Sequence, residues 1–361
     1  MQKEKIVLWG ACSRTEKVIK SIDNNLYEIL AIVDNDIQKT GGTFKGIPIK
    51  ETGYLDSIHF DKLILCLGEK GTLHVKEQLH GRGYNIETMN YFIKKHLVDT
   101  YKDSDEKEIK DIMLYLKKHD LDVFNYVFTD KYKELKVECE YDINCKLFYI
   151  LHNGKKMYMR RSLDTKEKSI EYYRYICMEQ DELSPHRYLI DGYNVEKDMC
   201  VMDIGAAEGN FSLDVVDKAK KIYIAECDPE WLEALSYTFK DYPDKVEIIN
   251  KYVSDHVSDT TTTIDSILSG KTINYIKMDV EGSEIEVLDG ASITLKSNHN
   301  LICAVCAYHR HGDAKKISDK LHGYGMFVEP SNGYMCFLCD VNTYINPEFR
   351  RGIIRGRYNY C

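Results

Sequence analysis

The chain has 361 residues, enough for two or three domains, and its 43% hydrophobic and 30% charged residues are typical of a folded globular protein. Its net charge of −9 argues against a nucleic-acid partner, because a field of that sign repels phosphate. No apolar run approaches the ~18 residues of a membrane helix, and the N-terminus lacks a signal peptide's hydrophobic region. We therefore expect a cytoplasmic protein whose 12 cysteines are free thiols.

Residues 1–96 alternate short apolar strands with helical patterns, which predicts a small α/β domain with a parallel sheet. Asp34 follows the second strand, where a ribose-binding carboxylate would lie, but the G-x-G-x-x-G glycines of a dinucleotide site are absent. The turn Gly10-Ala11, Val33-Asp34-Asn35 and the glycines at 41, 42 and 46 resemble the Rossmann-like N-terminal domain of some sugar-modifying acyltransferases and methyltransferases. Both a nucleotide-sugar site and a structural or dimerising role, through which the chain would form a homo-oligomer, stay open.

Residues 97–165 read as a helical connector followed by a hairpin at 147–159. An aromatic-rich helix around 170–176 and the stop at Pro185 then lead into a second domain, residues 166–345. The remaining residues, 346–361, read as a basic tail. Its arginines could clamp a phosphate of an activated sugar or could simply be solvated.

The second domain is organised around the segment 201–211, VMDIGAAEGNF. An apolar strand ends in Asp203, a loop of small residues follows between Gly205 and Gly209, and a helix begins at Asn210. A glycine loop between a strand and a helix N-terminus can accommodate a ligand, although the spacing is not that of a dinucleotide fingerprint.

Polar residues recur after the strands of this domain, and the carboxyl ends of parallel strands line one crevice of an open sheet. The sequence predicts seven strands, the last two at 326–328 and 335–338 in an antiparallel edge. A crevice rich in carboxylates suits a cationic ligand. The residues at successive strand ends are Asp203, Glu226, Ser254-Asp255-His256, Asp279 with Glu281, and Tyr308-His309.

Two C-x-x-C pairs, Cys303/Cys306 and Cys336/Cys339, lie in apolar runs. Positions i and i+3 of a strand point to opposite faces, so neither pair could chelate one ion. We expect core cysteines there and no metal site.

Residues from about 170 to 340 resemble an FkbM-type S-adenosylmethionine-dependent methyltransferase. The run 276–291, IKMDVEGSEIEVLDGA, is the most specific part of the likeness, and Cys227 departs from it because a proline is common there. The other matching segments are 179–180, 184–188, 203–213, Glu226, Asp228-Pro229, 253–255, 263–265 and Tyr308-His309.

The resemblance implies that the glycine loop contacts the methionine part of the cofactor, with Asp203 toward its amino group. It also implies that Glu226 binds the ribose, that Asp255 accepts from the adenine amino group, and that residues before the first strand cover the cofactor. The full set expected to bind S-adenosylmethionine is Gln180, Ser184, His186, Asp203, Gly205, Ala206, Glu208, Gly209, Asn210, Phe211, Glu226, Cys227, Ser254, Asp255 and Asp279.

A hydroxyl acceptor must lose a proton as it is methylated, and a carboxylate or a histidine can take it. The expected catalytic residues are Asp279, His309 and His256, in that order. Asp279 and Glu281 could instead hold Mg²⁺, since hard cations bind carboxylates.

The fold expected overall is α/β, with a seven-stranded Rossmann-like methyltransferase sheet preceded by a smaller Rossmann-like α/β domain and a helical connector. The family resemblance implies O-methylation. Together with the first domain it favours a saccharide acceptor, free, nucleotide-activated or lipid-linked, in glycan or polysaccharide biosynthesis. Two alternatives stay open: a cofactor-binding scaffold without catalysis, and a bifunctional enzyme whose first domain binds NAD or a nucleotide sugar.

Overall fold

The computed structural model describes residues 3–337 and 347–358 of the chain. They form two compact units. The first runs up to Asn125 and includes the described part of Cys336–Phe349, and the second contains Tyr126–Met335 and the residues from Arg350 onward. Within the described ranges, no helix is long and apolar enough to cross a membrane.

The first unit contains one six-stranded sheet, in which the strand at Glu4–Trp9 lies near the centre. Side chains of this strand alternate between two apolar clusters. Ile6 and Leu8 pack on one face, and Val7 and Trp9 pack on the other. The sheet is thus covered on both faces, as expected of parallel strands. Its elements are β1 Glu4–Trp9, α1 Ser13–Ser21, β2 Tyr27–Val33, β3 Thr43–Phe44, β4 Ile47–Lys50, a 3₁₀ helix Thr52–Ser57, β5 Lys62–Leu65, α2 Glu69–Gln78, β6 Ile86–Thr88, α3 Tyr91–Tyr101 and α4 Lys107–Leu116.

The sheet of the first unit has the strand order β3-β4-β2-β1-β5-β6, and all neighbours are parallel except β3 and β4. Asp34, at the end of β2, accepts a hydrogen bond from the Ala11 amide at 2.7 Å and pairs with Lys39 at 3.2 Å. This carboxylate therefore already has partners within its own turn.

The second unit begins with short helices and a small antiparallel sheet, followed by the helix that precedes the main sheet. These elements are a 3₁₀ helix Val127–Thr129, α5 Asp130–Lys133, β7 Cys139–Asp142, β8 Leu147–His152, β9 Lys155–Tyr158 and α6 Lys166–Glu179. The main sheet and its helices are β10 Cys200–Ile204, α7 Asn210–Val215, β11 Lys221–Glu226, α8 Pro229–Thr238, β12 Val246–Asn250, β13 Tyr252–Val253, β14 Thr261–Thr262, α9 Ile264–Leu268, β15 Tyr275–Met278, α10 Glu284–Asp289, α11 Ser292–Ser297, β16 Ile302–Cys306, α12 Asp313–Gly323, β17 Phe327–Pro330 and β18 Ile353–Arg357.

The main sheet has seven strands in the order β12-β11-β10-β15-β16-β18-β17, which confirms the predicted α/β class and strand number. The first five strands are parallel, and β18 runs antiparallel between β16 and β17. The strand order reverses between β10 and β15. In open α/β sheets the ligand crevice lies at such a reversal, outside the carboxyl ends of the strands.

The seventh strand is not the predicted one. Met335 forms only an isolated bridge with Arg350, and the sheet instead takes in β18, which lies in the segment expected to be a basic tail. Ile353, Ile354 and Arg355 are buried, and the Arg355 guanidinium donates a hydrogen bond to the Arg187 carbonyl oxygen. A strand buried on both faces needs no alternation of polar and apolar residues, so residues 353–357 lack the usual strand pattern. The basic composition of this segment therefore led to the prediction of a tail.

The cysteines that the structure describes are free thiols. Cys303 packs in the main core, while the Cys306 sulfur lies 3.6 Å from His186 Nε2, so this pair does not converge. Cys336 is buried, and its predicted companion Cys339 lies outside the described residues.

Candidate active site

A cleft of about 630 Å³ opens at the carboxyl ends of β10, β11 and β15, where the strand order predicts it. Five of the residues expected to bind the cofactor line it: Gly205, Glu226, Cys227, Ser254 and Asp279. The sequence analysis assigned no site role to several further lining residues, which are Arg160, Ala207, Trp231, Lys251, Tyr252, Ser283 and Glu286.

The loop after β10 approaches the end of β15 closely. Gly205 has a φ of +71°, and a Cβ there would lie 1.7 Å from the Asp279 carbonyl oxygen. A side chain is excluded at this position because the two strand ends meet. Packing therefore requires a glycine here, in addition to the predicted close approach of a ligand. Ala207 also has a positive φ, and its amide donates to Glu226 Oε2 at 2.9 Å.

Glu226 is held firmly at the end of β11. Its Oε1 accepts hydrogen bonds from the amides of Cys227 at 2.7 Å and Asp228 at 2.9 Å, in addition to the Ala207 contact at Oε2. A carboxylate fixed by three backbone donors keeps one orientation toward the cleft and can still accept from hydroxyl groups there.

Asp203 lies beneath the loop and does not line the cleft. It is fully buried. Its Oδ2 accepts from the Ser212 hydroxyl at 2.7 Å, and its Oδ1 lies 3.1 Å from Lys277 Nζ. Lys277 Nζ also donates to the Gly205 carbonyl at 2.5 Å. The ion pair therefore supports the loop from below. The one sequence signal for Lys277 was a lysine inside the apolar run Ile276-Lys277-Met278.

Asp279, which follows β15, is surrounded by donors. Its Oδ2 accepts from the Tyr188 hydroxyl at 2.9 Å, and its Oδ1 accepts from the Tyr308 hydroxyl at 3.4 Å. Burial by itself raises the pKa of Asp279, but bonding to His186 and the charges of Lys277 and His309 hold the pKa well below its usual value. Asp279 is thus a persistent anion and a weak proton acceptor.

His309, which follows β16, is buried among three carboxylates. Its Nδ1 lies 2.8 Å from Glu284, and its Nε2 lies 3.4 Å from Asp279 Oδ1 and 3.5 Å from Glu281 Oε2. Burial by itself lowers the pKa of His309, but the contact with Glu284 and the charges of Asp279 and Glu281 raise it above its usual value. The structure therefore brings His309 against Asp279 and Glu281, which line the cleft, while His309 itself is buried behind them and is not a lining residue.

His256, the third expected catalytic residue, lies apart from them. It is exposed and lies 2.6 Å from the carboxylate of Asp255, which is itself half exposed. Both follow the short strand β13, and neither lines the cleft. A direct catalytic role for His256 is therefore not retained.

The segment expected to cover the cofactor is folded on itself. Gln180 Oε1 accepts from the Tyr188 amide at 3.1 Å, and Ser184 Oγ accepts from the His186 amide at 3.1 Å. These contacts bring His186 Nε2 within 3.7 Å of Asp279 Oδ2. The three residues thus support Asp279 and do not line the cleft.

The remaining expected residues face inward around the loop and do not line the cleft either. Glu208 accepts from the Tyr172 hydroxyl at 2.7 Å, and burial raises its pKa. The ring of Phe211 packs at a tilt against Tyr275 in the core, while Ala206 and Gly209 belong to the turn and Asn210 is the first residue of α7. Burial raises the pKa of Glu179, which the sequence analysis gave no role, to about 7.

Potential metal ligands do converge in the described residues. The ligand atoms of Asp279, Glu284 and His309 lie within 4.8 Å of one another, and so do those of His186, Asp279 and Cys306. Each group already has protein partners, so the geometry adds no support to the Mg²⁺ hypothesis at Asp279 and Glu281, and we assign no metal.

The arginines after residue 349 do not converge on a ligand. Arg350 Nη1 donates to the carbonyls of Tyr308 at 2.8 Å and His309 at 2.9 Å, and Arg355 donates to the Arg187 carbonyl. These two buried arginines hold backbone of the site in place, so the hypothesis of a phosphate clamp is not retained.

Comparison with known proteins gives two family matches. Residues 173–330 match the model of the methyltransferase FkbM domain, and residues 2–90 match that of the C2185-like N-terminal domain. One curated relative, the ribosomal RNA small subunit methyltransferase A of Alkaliphilus metalliredigens, is 34% identical over 65 residues. That match spans 18% of this chain and 22% of the relative's length.

Solved structures also resemble the chain. A methyltransferase FkbM from Methylobacillus flagellatus KT has a TM-score of 0.47 at 14% identity, covering 98% of this chain and 90% of that one. A putative transferase from Pyrococcus horikoshii has a TM-score of 0.36 at 16% identity, covering 59% and 72% of the two chains. The first family match contains the glycine loop, Glu226, Asp279 and His309. Residues 173–330 of this chain therefore form a methyltransferase FkbM domain.

Proposed function

We propose that the chain transfers the methyl group of S-adenosylmethionine to a hydroxyl oxygen of a saccharide acceptor, free, nucleotide-activated or lipid-linked. The observation that supports an oxygen acceptor is the position of His309. Its Nε2 lies beside Asp279 and Glu281, two of the carboxylates that line the cleft. An imidazole beside the cleft supplies the proton acceptor that methylation of a hydroxyl needs.

The residues of the cleft fit the cofactor. Five carboxylates line it, Glu226, Asp228, Asp279, Glu281 and Glu286, against two basic side chains, Arg160 and Lys251. This charge balance favours a ligand that carries a sulfonium and an ammonium group. Glu226 at the end of the second strand has the position of a ribose-binding carboxylate, about 20 residues past the glycine loop.

Bound S-adenosylmethionine supplies the electrophilic methyl group, and the protein aligns the acceptor with it. As the acceptor oxygen forms its new bond to the methyl carbon, its O–H bond breaks and the proton passes to His309 Nε2. The bound cofactor would keep the electron pair of the broken S–CH₃ bond on its sulfur. Asp279, held by the hydroxyls of Tyr188 and Tyr308, stays anionic and stabilises the imidazolium that forms.

Two observations support a saccharide as the acceptor. The motifs of the first domain resemble those of sugar-modifying enzymes. The cleft also presents Ser254, Ser283 and Glu286, which can hydrogen-bond to sugar hydroxyls. A saccharide offers several such hydroxyls on one small molecule.

The test uses the full chain with methyl-labelled cofactor and a panel of sugars, sugar nucleotides, lipid-linked sugars and structured RNA, with products identified by mass spectrometry. We expect label on a sugar oxygen. His309→Gln should lower the rate roughly 10²-fold, whereas His322→Gln, an exposed histidine on α12, should leave it unchanged. Label on RNA alone, or only on carbon or nitrogen, would show that the proposed acceptor is wrong.

A further inference from the structure

Glu284, at the start of α10, is a buried carboxylate that faces the imidazole of His309. It is 1% exposed, and its Oε1 accepts hydrogen bonds from the amides of Val280 at 3.1 Å and Gly282 at 3.4 Å. The ion-pair distance from Oε1 to His309 Nδ1 is 2.8 Å. Its Oε2 is buried without a hydrogen-bond partner in the part of the chain that the structure describes, so the contacts of this carboxylate are concentrated at Oε1.

The two nitrogens of His309 have different surroundings. Nδ1 faces Glu284, which is buried away from the cleft. Nε2 faces Asp279 and Glu281, which line it. A carboxylate oxygen and a bare nitrogen lone pair 2.8 Å apart would repel each other, so this ion-pair contact favours a proton on Nδ1. In the neutral ring, the lone pair must then be on Nε2.

The backbone on either side of this pair is also fixed. Glu284 holds the turn after β15 through its bonds to Val280 and Gly282, while Arg350 holds the carbonyls of Tyr308 and His309. The turn and the imidazole therefore keep their mutual geometry. Glu281, the residue within that turn, has a φ of +53°, a strained conformation that such fixing maintains.

We propose that Glu284 is a positioning residue that keeps His309 protonated at Nδ1, so that Nε2 is the atom that takes the proton of the acceptor hydroxyl. This inference deepens the proposed function and rests on it for the step at the acceptor. Glu284 does not line the cleft and acts through the imidazole, as the buried carboxylate of a Ser-His-Asp triad does.

The decisive variant is Glu284→Gln, which keeps the shape and the carbonyl acceptor for Val280 but removes the charge. We expect its turnover to fall roughly 10²-fold, with the KM for cofactor unchanged. The acidic limb of its pH–rate profile should move to lower pH, because the imidazole loses a neighbouring anion.

Glu284→Asp keeps the charge and should keep the limb near its wild-type position. Asp289→Asn, on the same helix and paired with Lys320, should change neither the rate nor the profile. The titratable or charged groups that contact His309 in the described residues include Asp279, Glu281, Glu284 and Tyr308, with Arg350 on its backbone.

A second readout does not depend on methyl transfer. The ¹⁵N shifts of His309, assigned by comparison with His309→Gln, report which ring nitrogen carries the proton. We expect Nδ1–H in the wild-type neutral ring and a loss of that preference in Glu284→Gln. A wild-type Nε2–H ring, or an unchanged pH profile in a folded Glu284→Gln protein, would overturn the inference. An Nδ1–H ring in a protein that methylates no hydroxyl would refute the proposed function alone.

Discussion

Lys277 shows how a single buried side chain determines the shape of the site. Its ammonium joins the carboxylate of Asp203 to the Gly205 carbonyl, and the pair is shielded from water. Burial by itself lowers the pKa of Lys277, but the charges of Asp203 and Asp279 raise it above its usual value. The lysine therefore stays charged, and the glycine loop rests on a permanent ion pair.

Lys277→Met should lower the free energy of unfolding by about 3–5 kcal/mol, because it leaves Asp203 charged and buried without its cation. The double variant Lys277→Met with Asp203→Asn should lose less than Lys277→Met alone, since the uncompensated charge is removed. Denaturant unfolding of the set measures this. Lys221→Met, at the half-buried first residue of β11, is the control, because Lys221 pairs with a partly exposed carboxylate. A double variant less stable than both single variants would show that the pair does not act as a unit.

His309 should make stability depend on pH. Its pKa is raised in the folded protein, so the charged form is stabilised by folding. That contribution is complete below the ordinary value of 6.5 and is lost as pH rises through the folded-state pKa. The difference in unfolding free energy between wild type and His309→Gln should therefore shrink as pH rises above 6.5. A difference that is constant or grows over this range would contradict the ion pairing of His309.

Sequence reasoning predicted those candidate site residues that lie at or near strand ends. Glu226 is the last residue of β11, Asp279 directly follows β15 and His309 lies three residues after β16, so all three lie at the carboxyl ends of parallel strands. The sequence alone could not distinguish residues that face the cleft from residues such as Asp203 that lie beneath it, because this distinction depends on the direction of each side chain. Arg160 follows a hairpin and Glu284 begins a helix, so neither has a strand-end signal.

At the scale of elements, β18 completes the sheet of the second unit. It pairs with β16 on one side and with β17 on the other, and Ile354 packs in the main core. The predicted strands up to β17 follow from apolar runs bounded by turns. In contrast, β18 carries Arg355, whose partner is the carbonyl group of Arg187, distant in sequence. Only the folded chain shows that this charge is buried.

Ile354→Ala should reduce the unfolding free energy by about 2–5 kcal/mol, because it leaves a cavity in a core that cannot close around it. A matched change at an exposed isoleucine of the same unit, Ile293→Ala, should cost far less. Denaturant unfolding of both variants measures the contrast. Equal and negligible effects would mean that residues 353–357 behave as the solvated tail that their composition suggests.

At the scale of the whole molecule, each of the two units has its own sheet and one of the chain's two tryptophans. Trp9 is buried in β1 of the first unit, and Trp231 lines the cleft of the second. The Trp9→Phe variant therefore reports the unfolding of the second unit by fluorescence, and Trp231→Phe reports that of the first. The two transitions can thus be followed separately in otherwise complete chains.

A cofactor that binds only the second unit should stabilise only that unit. S-adenosylhomocysteine at 100 times its Kd should raise the unfolding free energy reported by Trp231 by about 2.7 kcal/mol, because binding to the folded state alone contributes RT ln(1 + [L]/Kd). The transition reported by Trp9 should not move. Adenosine at a concentration that does not bind serves as the control. A ligand-induced shift of the Trp9 transition alone would place the cofactor in the first unit, and an equal shift of both would show that the units unfold together.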